Sequence, residues 1–431
     1  MGLPDRKDVP VQQTWDVGIL YENDDAWQKD IEAEKKALAD FSKYDQKLND
    51  PETIISALDD LGEMEVRMDL LGHYGFLQQS TDMTDPHYNQ LLRILDQLEA
   101  DYNAELAKYR AQIMDNDNET LDAVSDKRPD LGAAIREFKR IKKHRLSSEV
   151  ESALSSIEPT LSSFEGIYTT CRAADMSFPD FEVDGKTYPL SFVLYENSYQ
   201  YNPDHKLRHA AFKAFSKVLN QYKNTVAANY YAQVSKEKNM ATLRGYDSVF
   251  DYLLDDQEVP REFFDRQIDV IIEKLGPVMQ KYVKLIQKER GLDKLTFSDL
   301  QIDLDPEFAP KVPLDKAPEY ISDAIKVLGP KYHDMIMKCF DERWVDFPAN
   351  KGKETGGFET TPYGKHAYIL MSWTDEMADV YTLVHELGHA GQEMLTNKTN
   401  HPLSCGVSTY IVEAPSTFNE LLLTHALEEK S

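Results

Sequence analysis

Between residues 24 and 48 the apolar side chains Trp27, Ile31, Leu38, Phe41 and Leu48 recur three, four or seven positions apart, with acidic and lysine residues between them. That period puts them on one stripe of an amphipathic helix, and Asn23-Asp24-Asp25 supplies its start signal. Residues 52–71, 86–114, 136–164 and 203–244 repeat the charged helical pattern, with turn pieces such as Asp115-Asn116-Asp117-Asn118 between them. The chain therefore reads as mainly α. Two stretches break the rule. Phe181-Glu182-Val183-Asp184-Gly185-Lys186-Thr187-Tyr188 sets Asp-Gly between two short β-prone arms, which predicts a hairpin because both central residues of a type I′ turn need positive φ. Later, Gly356-Gly357-Phe358 leads through Pro362-Tyr363-Gly364 into the run 365–373, a second strand pair, and Thr374-Asp375-Glu376 caps a helix directly after it.

Composition narrows the classes. With 431 residues, 41% of them hydrophobic and 29% charged, the chain can build a large core or several helical subdomains around one site. Lys plus Arg number 48 against 75 Asp plus Glu, a net charge of -27, which repels nucleic acid and anionic lipid. Cys171, Cys339 and Cys405 are odd in number and widely spaced, so neither a disulfide framework nor a zinc knuckle is expected. The polar start Met1-Gly2-Leu3-Pro4-Asp5-Arg6 holds no signal core, and no apolar run reaches membrane-spanning length. A cytoplasmic location follows as the expectation.

The capped helix contains Val384-His385-Glu386-Leu387-Gly388-His389-Ala390, the pattern H-E-x-x-H. Spacing of four residues sets both imidazoles on one helix face, where two neutral ring nitrogens can reach one zinc ion while Glu386 points toward a metal-activated water. A third ligand must come from elsewhere in the chain. Glu393 continues the ladder but lies a turn beyond His389, and reads as a solvated or supporting carboxylate. His401 follows in a loop. A metzincin continuation is excluded by Gln392 and Leu395, where that pattern needs Gly and His. Glu413, in Tyr410-Ile411-Val412-Glu413-Ala414-Pro415-Ser416, is the better choice: an acid among apolar neighbours is costly to bury alone, and a metal would offset that cost. Glu420, seven residues on, shares its helix face and could accept a hydrogen bond from a ligand histidine.

Taken with Tyr368-Ile369-Leu370-Met371-Ser372-Trp373, Tyr195-Glu196-Asn197 and Thr242-Leu243-Arg244-Gly245-Tyr246, these motifs make the entire chain resemble oligoendopeptidase F, of the M3 family of zinc metallopeptidases. The resemblance implies a multi-helical zincin-type fold with a small β-sheet beside the H-E-x-x-H helix and a deep channel for short unstructured peptides. It implies one zinc ion per chain held by His385, His389 and Glu413, with Glu386 as general base and Glu420 supporting a ligand. An N-terminal helical region over 1–195 and a catalytic domain over 196–431 are expected. The substrate is expected to add as a strand along the 366–373 edge, with Gly356, Gly357, His366, Ala367 and Tyr368 as substrate-binding residues. Family members continue beyond the zinc helices with a His- and Tyr-rich segment. The catalytic domain is thus read as incomplete, the rest absent or supplied by a separate chain, and slow turnover is expected. A metal-binding helical scaffold without activity is the alternative reading.

Overall fold

The structure, a computed structural model, describes residues 3–305, 308 and 310–430. The chain divides into two compact units, one of residues 1–143 with 310–431 and one of residues 144–309. The expected boundary at 195 thus falls inside the second unit. The N-terminal helices belong with the H-E-x-x-H helix because both cover the same small sheet, which no cut of the sequence at a single point could show.

The first unit opens with helices α1 (Asp24–Asp40), α2 (Pro51–Thr81), α3 (Pro86–Asp115), α4 (Asn118–Lys127) and α5 (Gly132–His144). Two of them start on Asp-Pro: Asp50 and Asp85 accept hydrogen bonds from first-turn N–H groups while proline, which lacks one, fills the first helical position. The helical stripe read from the sequence is the buried one, with Trp27, Ile31 and Leu38 of α1 packed against Ile54, Leu58 and Leu71 of α2. The pattern read over 136–164 is interrupted. Ser147 takes an extended backbone and begins a new helix, α6 (Ser148–Leu161), and Ser162 separates it from α7 (Ser163–Thr170).

Those helices belong to the second unit, with β1 (Phe181–Val183), β2 (Lys186–Tyr188), α8 (Phe192–Asn197), α9 (His205–Leu243), α10 (Val249–Asp255), α11 (Arg261–Val270) and α12 (Gly276–Glu289). The hairpin forms as predicted, with φ of 49° at Asp184 and 79° at Gly185. Tyr195 stacks on Phe215 with ring centroids 4.2 Å apart, and buried Arg208 pairs with buried Asp299.

Back in the first unit, α13 (Ala317–Ile325) and α14 (Pro330–Met337) precede a sheet of β3 (Val345–Asp346), β4 (Phe358–Thr360) and β5 (Tyr368–Leu370), followed by α15 (Met377–Thr399) and α16 (Thr409–Lys430). The spatial order is β3-β5-β4, with β3 parallel and β4 antiparallel to β5. Because side chains alternate along a strand, Tyr368 and Leu370 face the core of the N-terminal helices, while Ala367, Ile369 and Met371 face that of α13 and α15. Both faces of β5 are covered, which accounts for its unbroken apolar run.

This order corrects one expectation. The 366–373 segment contains the central strand, paired on both sides, so it offers no edge to a substrate; the edge strands beside it are β3 and β4. Ala367 and Tyr368 are fully buried, and the Tyr368 hydroxyl donates to the Asp16 carbonyl at 2.8 Å. His366 stacks on Trp344, and burial lowers its pKa. Ala367 and Tyr368 are core residues and His366 is a half-buried ring packed on Trp344, so the three form no substrate surface.

Candidate metal centre

Helix α15 starts as its sequence requires: the Asp379 carboxylate accepts from the N–H groups of Glu376, at 3.0 Å, and Thr374, at 2.7 Å. Against it packs α16, which runs from Thr409 and contains Pro415. Close approach of the two helices depends on Gly388. A Cβ there would lie 2.6 Å from Ser416 Cα and 2.7 Å from the Pro415 carbonyl oxygen, so any other residue would push the backbones apart. Buried Asn419 fixes the register by donating to the Val384 carbonyl at 3.1 Å.

This packing brings His385, His389 and Glu413 together; among the described residues they form the group whose ligand atoms could hold a metal ion. His385 Nε2 lies 3.2 Å from Glu413 Oε2 and 3.3 Å from His389 Nε2, and His389 Nε2 lies 3.3 Å from the same carboxylate oxygen. The triangle is nearly equilateral. Ligands about 2.0–2.1 Å from a tetrahedral zinc are separated by about 3.3 Å, so the donor set fits one face of such a site. The opposite nitrogen of His385, Nδ1, lies 2.5 Å from Glu420 Oε1. A proton shared there leaves the Nε2 lone pair directed at the other two ligands. Two lone pairs and a carboxylate oxygen facing one another repel unless a cation lies between them.

Electrostatics separate the roles of the acids. Burial pushes the Glu386 carboxyl up to about 7; the neighbouring His385 opposes that shift and Glu413 adds to it. Glu413 moves the other way, held below the usual carboxylate range chiefly by the Ser416 hydroxyl, which donates to Oε2 at 2.8 Å. Its side chain is 62% exposed. The burial argument that singled out Glu413 is therefore not the reason it sits here; packing of α16 against Gly388 is. Burial lowers the pKa of His389.

The rival ligands lie elsewhere. His401 Nδ1 accepts from the Leu403 N–H at 3.3 Å, and its Nε2 lies 3.8 Å from Asp59. Of the two readings of Glu393, solvated or supporting, the solvated one does not hold: it is half-buried, accepts from the Thr361 N–H at 3.2 Å and ties the end of β4 to α15. Half-buried Glu359, on β4 itself, has its pKa raised by desolvation and by Glu393. Gly356 makes a turn with φ of 93°, and Gly357 runs beside α15, where a Cβ would lie 3.3 Å from Thr382 and 3.7 Å from Glu386 Oε1. Sequence reasoning missed Ser416 and Asn419. The only trace of Ser416 is its i+3 spacing from Glu413; nothing marks Asn419.

Comparison with known proteins supplies the family. The sequence model described as "Peptidase family M3" matches residues 198–431, and that of "Oligopeptidase F" matches 112–178. The chain belongs to peptidase family M3. Among curated M3 relatives, oligopeptidase PepF of Bacillus subtilis is 29% identical over 427 residues, covering 98% of this chain and 63% of its own. An oligoendopeptidase F homolog of Borreliella burgdorferi is 26% identical, covering 98% and 71%. The chain thus spans about two thirds of the length of these relatives. Crystal structures share the fold of this M3 chain: a Chlamydophila abortus protein at TM-score 0.84 and 21% identity, covering 100% of this chain and 73% of that one, and oligoendopeptidase-F of Enterococcus faecium at 0.64 and 20%, covering 95% and 68%.

Proposed function

We propose that the chain is a zinc-dependent endopeptidase that hydrolyses short oligopeptides. The observation that carries this reading is the triangle of ligand atoms at 3.2–3.3 Å with the buried carboxyl of Glu386 on the same helix. His385, His389 and Glu413 hold the ion. A zinc ion there supplies Lewis acidity, polarising a peptide carbonyl and lowering the pKa of water. Glu386, buried on the same helix as the two histidines, is placed to move a proton in both directions. It takes a proton from the attacking water and delivers it to the nitrogen of the leaving amine. Glu420 fixes the His385 ring through Nδ1, so that Nε2 remains a lone-pair donor.

The peptide adds as a strand to the outer edge of β4, where main-chain hydrogen bonds give affinity without demanding a particular sequence. Gly357 brings the chain leading into that edge alongside Glu386. No helix among the described residues is long and apolar enough to cross a membrane. The three cysteines are free, which suits the reducing cytoplasm we assign to it.

Cleavage of an internally quenched peptide by the purified chain, with and without a chelator and with zinc content measured in parallel, tests the reading. Chelator-sensitive cleavage and about one zinc per chain are expected. Stoichiometric zinc without cleavage would favour the inactive scaffold, and absence of zinc would remove both readings.

A further inference from the structure

Neighbouring residues of a strand send their main-chain groups to opposite edges. In β5 the N–H groups of Ile369 and Met371 donate to the carbonyls of Trp344 and Asp346 at 2.9 and 3.2 Å, which turns those residues toward β3 and leaves Tyr368 and Leu370 to bond β4. Their partners in register are Thr360 and Phe358. By the same alternation Gly357, Glu359 and Thr361 direct their main-chain groups to the outer edge of β4, where the peptide is proposed to add.

On that edge Thr361 is already taken. Its N–H donates to Glu393 Oε2 at 3.2 Å, and its carbonyl accepts from Asn397 Nδ2 at 3.2 Å. Glu393 and Asn397 are one turn apart on α15, so a single helix face answers both groups as a neighbouring strand would. Nothing opens just beyond: Pro362 has no N–H, its carbonyl accepts from the Lys365 N–H at 3.0 Å, and the Tyr363 N–H donates to Asp69 at 2.7 Å. Gly357 and Glu359 make no such bond on that side among the described residues. The open edge therefore consists of these two residues, closed at one end by α15 and lying at the other beside Glu386.

We propose that Glu393 and Asn397 form a stop that measures a peptide from its N-terminus, so that the chain cuts after about the third or fourth residue. The proposal rests on the reading of β4 as the peptide-binding edge. Gly357 lies beside Glu386 and Thr361 is bonded to Glu393, so β4 and α15 run in the same direction. From Gly357 to Thr361 the strand advances about 13 Å, which leaves a paired peptide about three or four residues between its reacting carbonyl and the stop. Charge selects the end that lies there: Glu393 and Glu359 repel a terminal carboxylate and attract a terminal ammonium. The peptide is then antiparallel to β4, with its N-terminus at Thr361 and the bond to be cut at Glu386.

The test uses the full chain loaded with zinc and two kinds of probe. The first is a peptide of near-uniform sequence, so that side chains favour no bond, with its products sized by mass spectrometry. N-terminal products of about three or four residues are expected, and lengthening the peptide at its C-terminus should not change them. Acetylating its N-terminus should lower kcat/KM about two- to fivefold. The second probe is a series of peptide hydroxamates, whose metal-binding end fixes the register without any cleavage. Affinity measured by calorimetry should rise up to about three or four residues and fall about tenfold beyond. Glu393→Ala/Asn397→Ala opens the Thr361 groups, and should remove that fall and give longer, mixed products; Asn397→Ala alone, which keeps the Glu393 bond, should do so in part. Products spread evenly along the peptide, products measured from the C-terminus, or a pattern that survives Glu393→Ala/Asn397→Ala with Tm unchanged would overturn the stop while leaving hydrolysis in place. A length optimum among the hydroxamates with no cleavage of the peptide would support the stop and sink the hydrolytic reading instead.

Discussion

Two charged clusters flank the same small sheet, and they differ in what their atoms lack. Around Lys353 every group is answered: its ammonium donates to Asp346 Oδ1 at 2.6 Å and to the carbonyls of Asp346, Pro348 and Met371 at 2.9, 2.8 and 2.6 Å. Arg6 binds the same carboxylate with both terminal nitrogens. The side chains of Lys353 and Asp346 are 2% and 0% exposed. Around His385 the reverse holds, since three lone-pair atoms face one another and their outer partners, Glu420 and Ser416, fix them in that orientation. A buried charge with all its hydrogen bonds made is a fastening for the chain; acceptors gathered without a donor are a site for a cation.

The largest effects should separate these two clusters. His385→Ala, His389→Ala and Glu413→Ala should each lose stoichiometric zinc, because a catalytic site needs all three protein ligands. Lys353→Ala should instead destabilise the first unit by about 3 kcal/mol, since Asp346 stays buried with Arg6 alone, while the folded fraction keeps its zinc. Elemental analysis with denaturant titration reads both, and full zinc in Glu413→Ala would exclude it as a ligand. Parallel Glu393→Ala and His401→Ala variants should keep the metal.

Next in size, Glu386→Gln should retain zinc while turnover falls by roughly two to four orders of magnitude, since it removes the proton carrier and no ligand. A variant with most of its activity intact would eliminate Glu386 from proton transfer. Glu420→Gln should be milder, a loss of about 10 to 100-fold in zinc affinity or activity, because the His385 ring loses only its orienting carboxylate. Zinc competition with a chromogenic chelator measures it, and an unchanged affinity would make the 2.5 Å contact incidental.

The smallest effect is the most local. Gly388→Ala puts a methyl group against the backbone of Ser416 and should cost about 1–3 kcal/mol while shifting α16, and Glu413 with it, away from the histidines. Weaker zinc binding together with lower Tm is expected. Normal values of both would mean that the two helices can separate without disturbing the triangle.

The sequence by itself determined what lies within one helix or one turn. The helical stripes of α1 to α3, the Asp-Gly hairpin and the pairing of His385 with His389 all follow from periods of 3.6 or 2 residues, or from the φ that a turn demands, and each needs only neighbours in sequence. Glu413 was reached from the sequence by an argument about burial, which its exposed side chain does not sustain. Tertiary structure decided the rest. Strand order made β3 and β4 the edges and β5 the centre, because pairing is chosen between segments far apart in sequence and an apolar run of that length reads alike in either place. Packing at Gly388 set Glu413 opposite the two histidines. Distances between helices depend on which side chains meet, and that information is written across the chain, not at any one position in it.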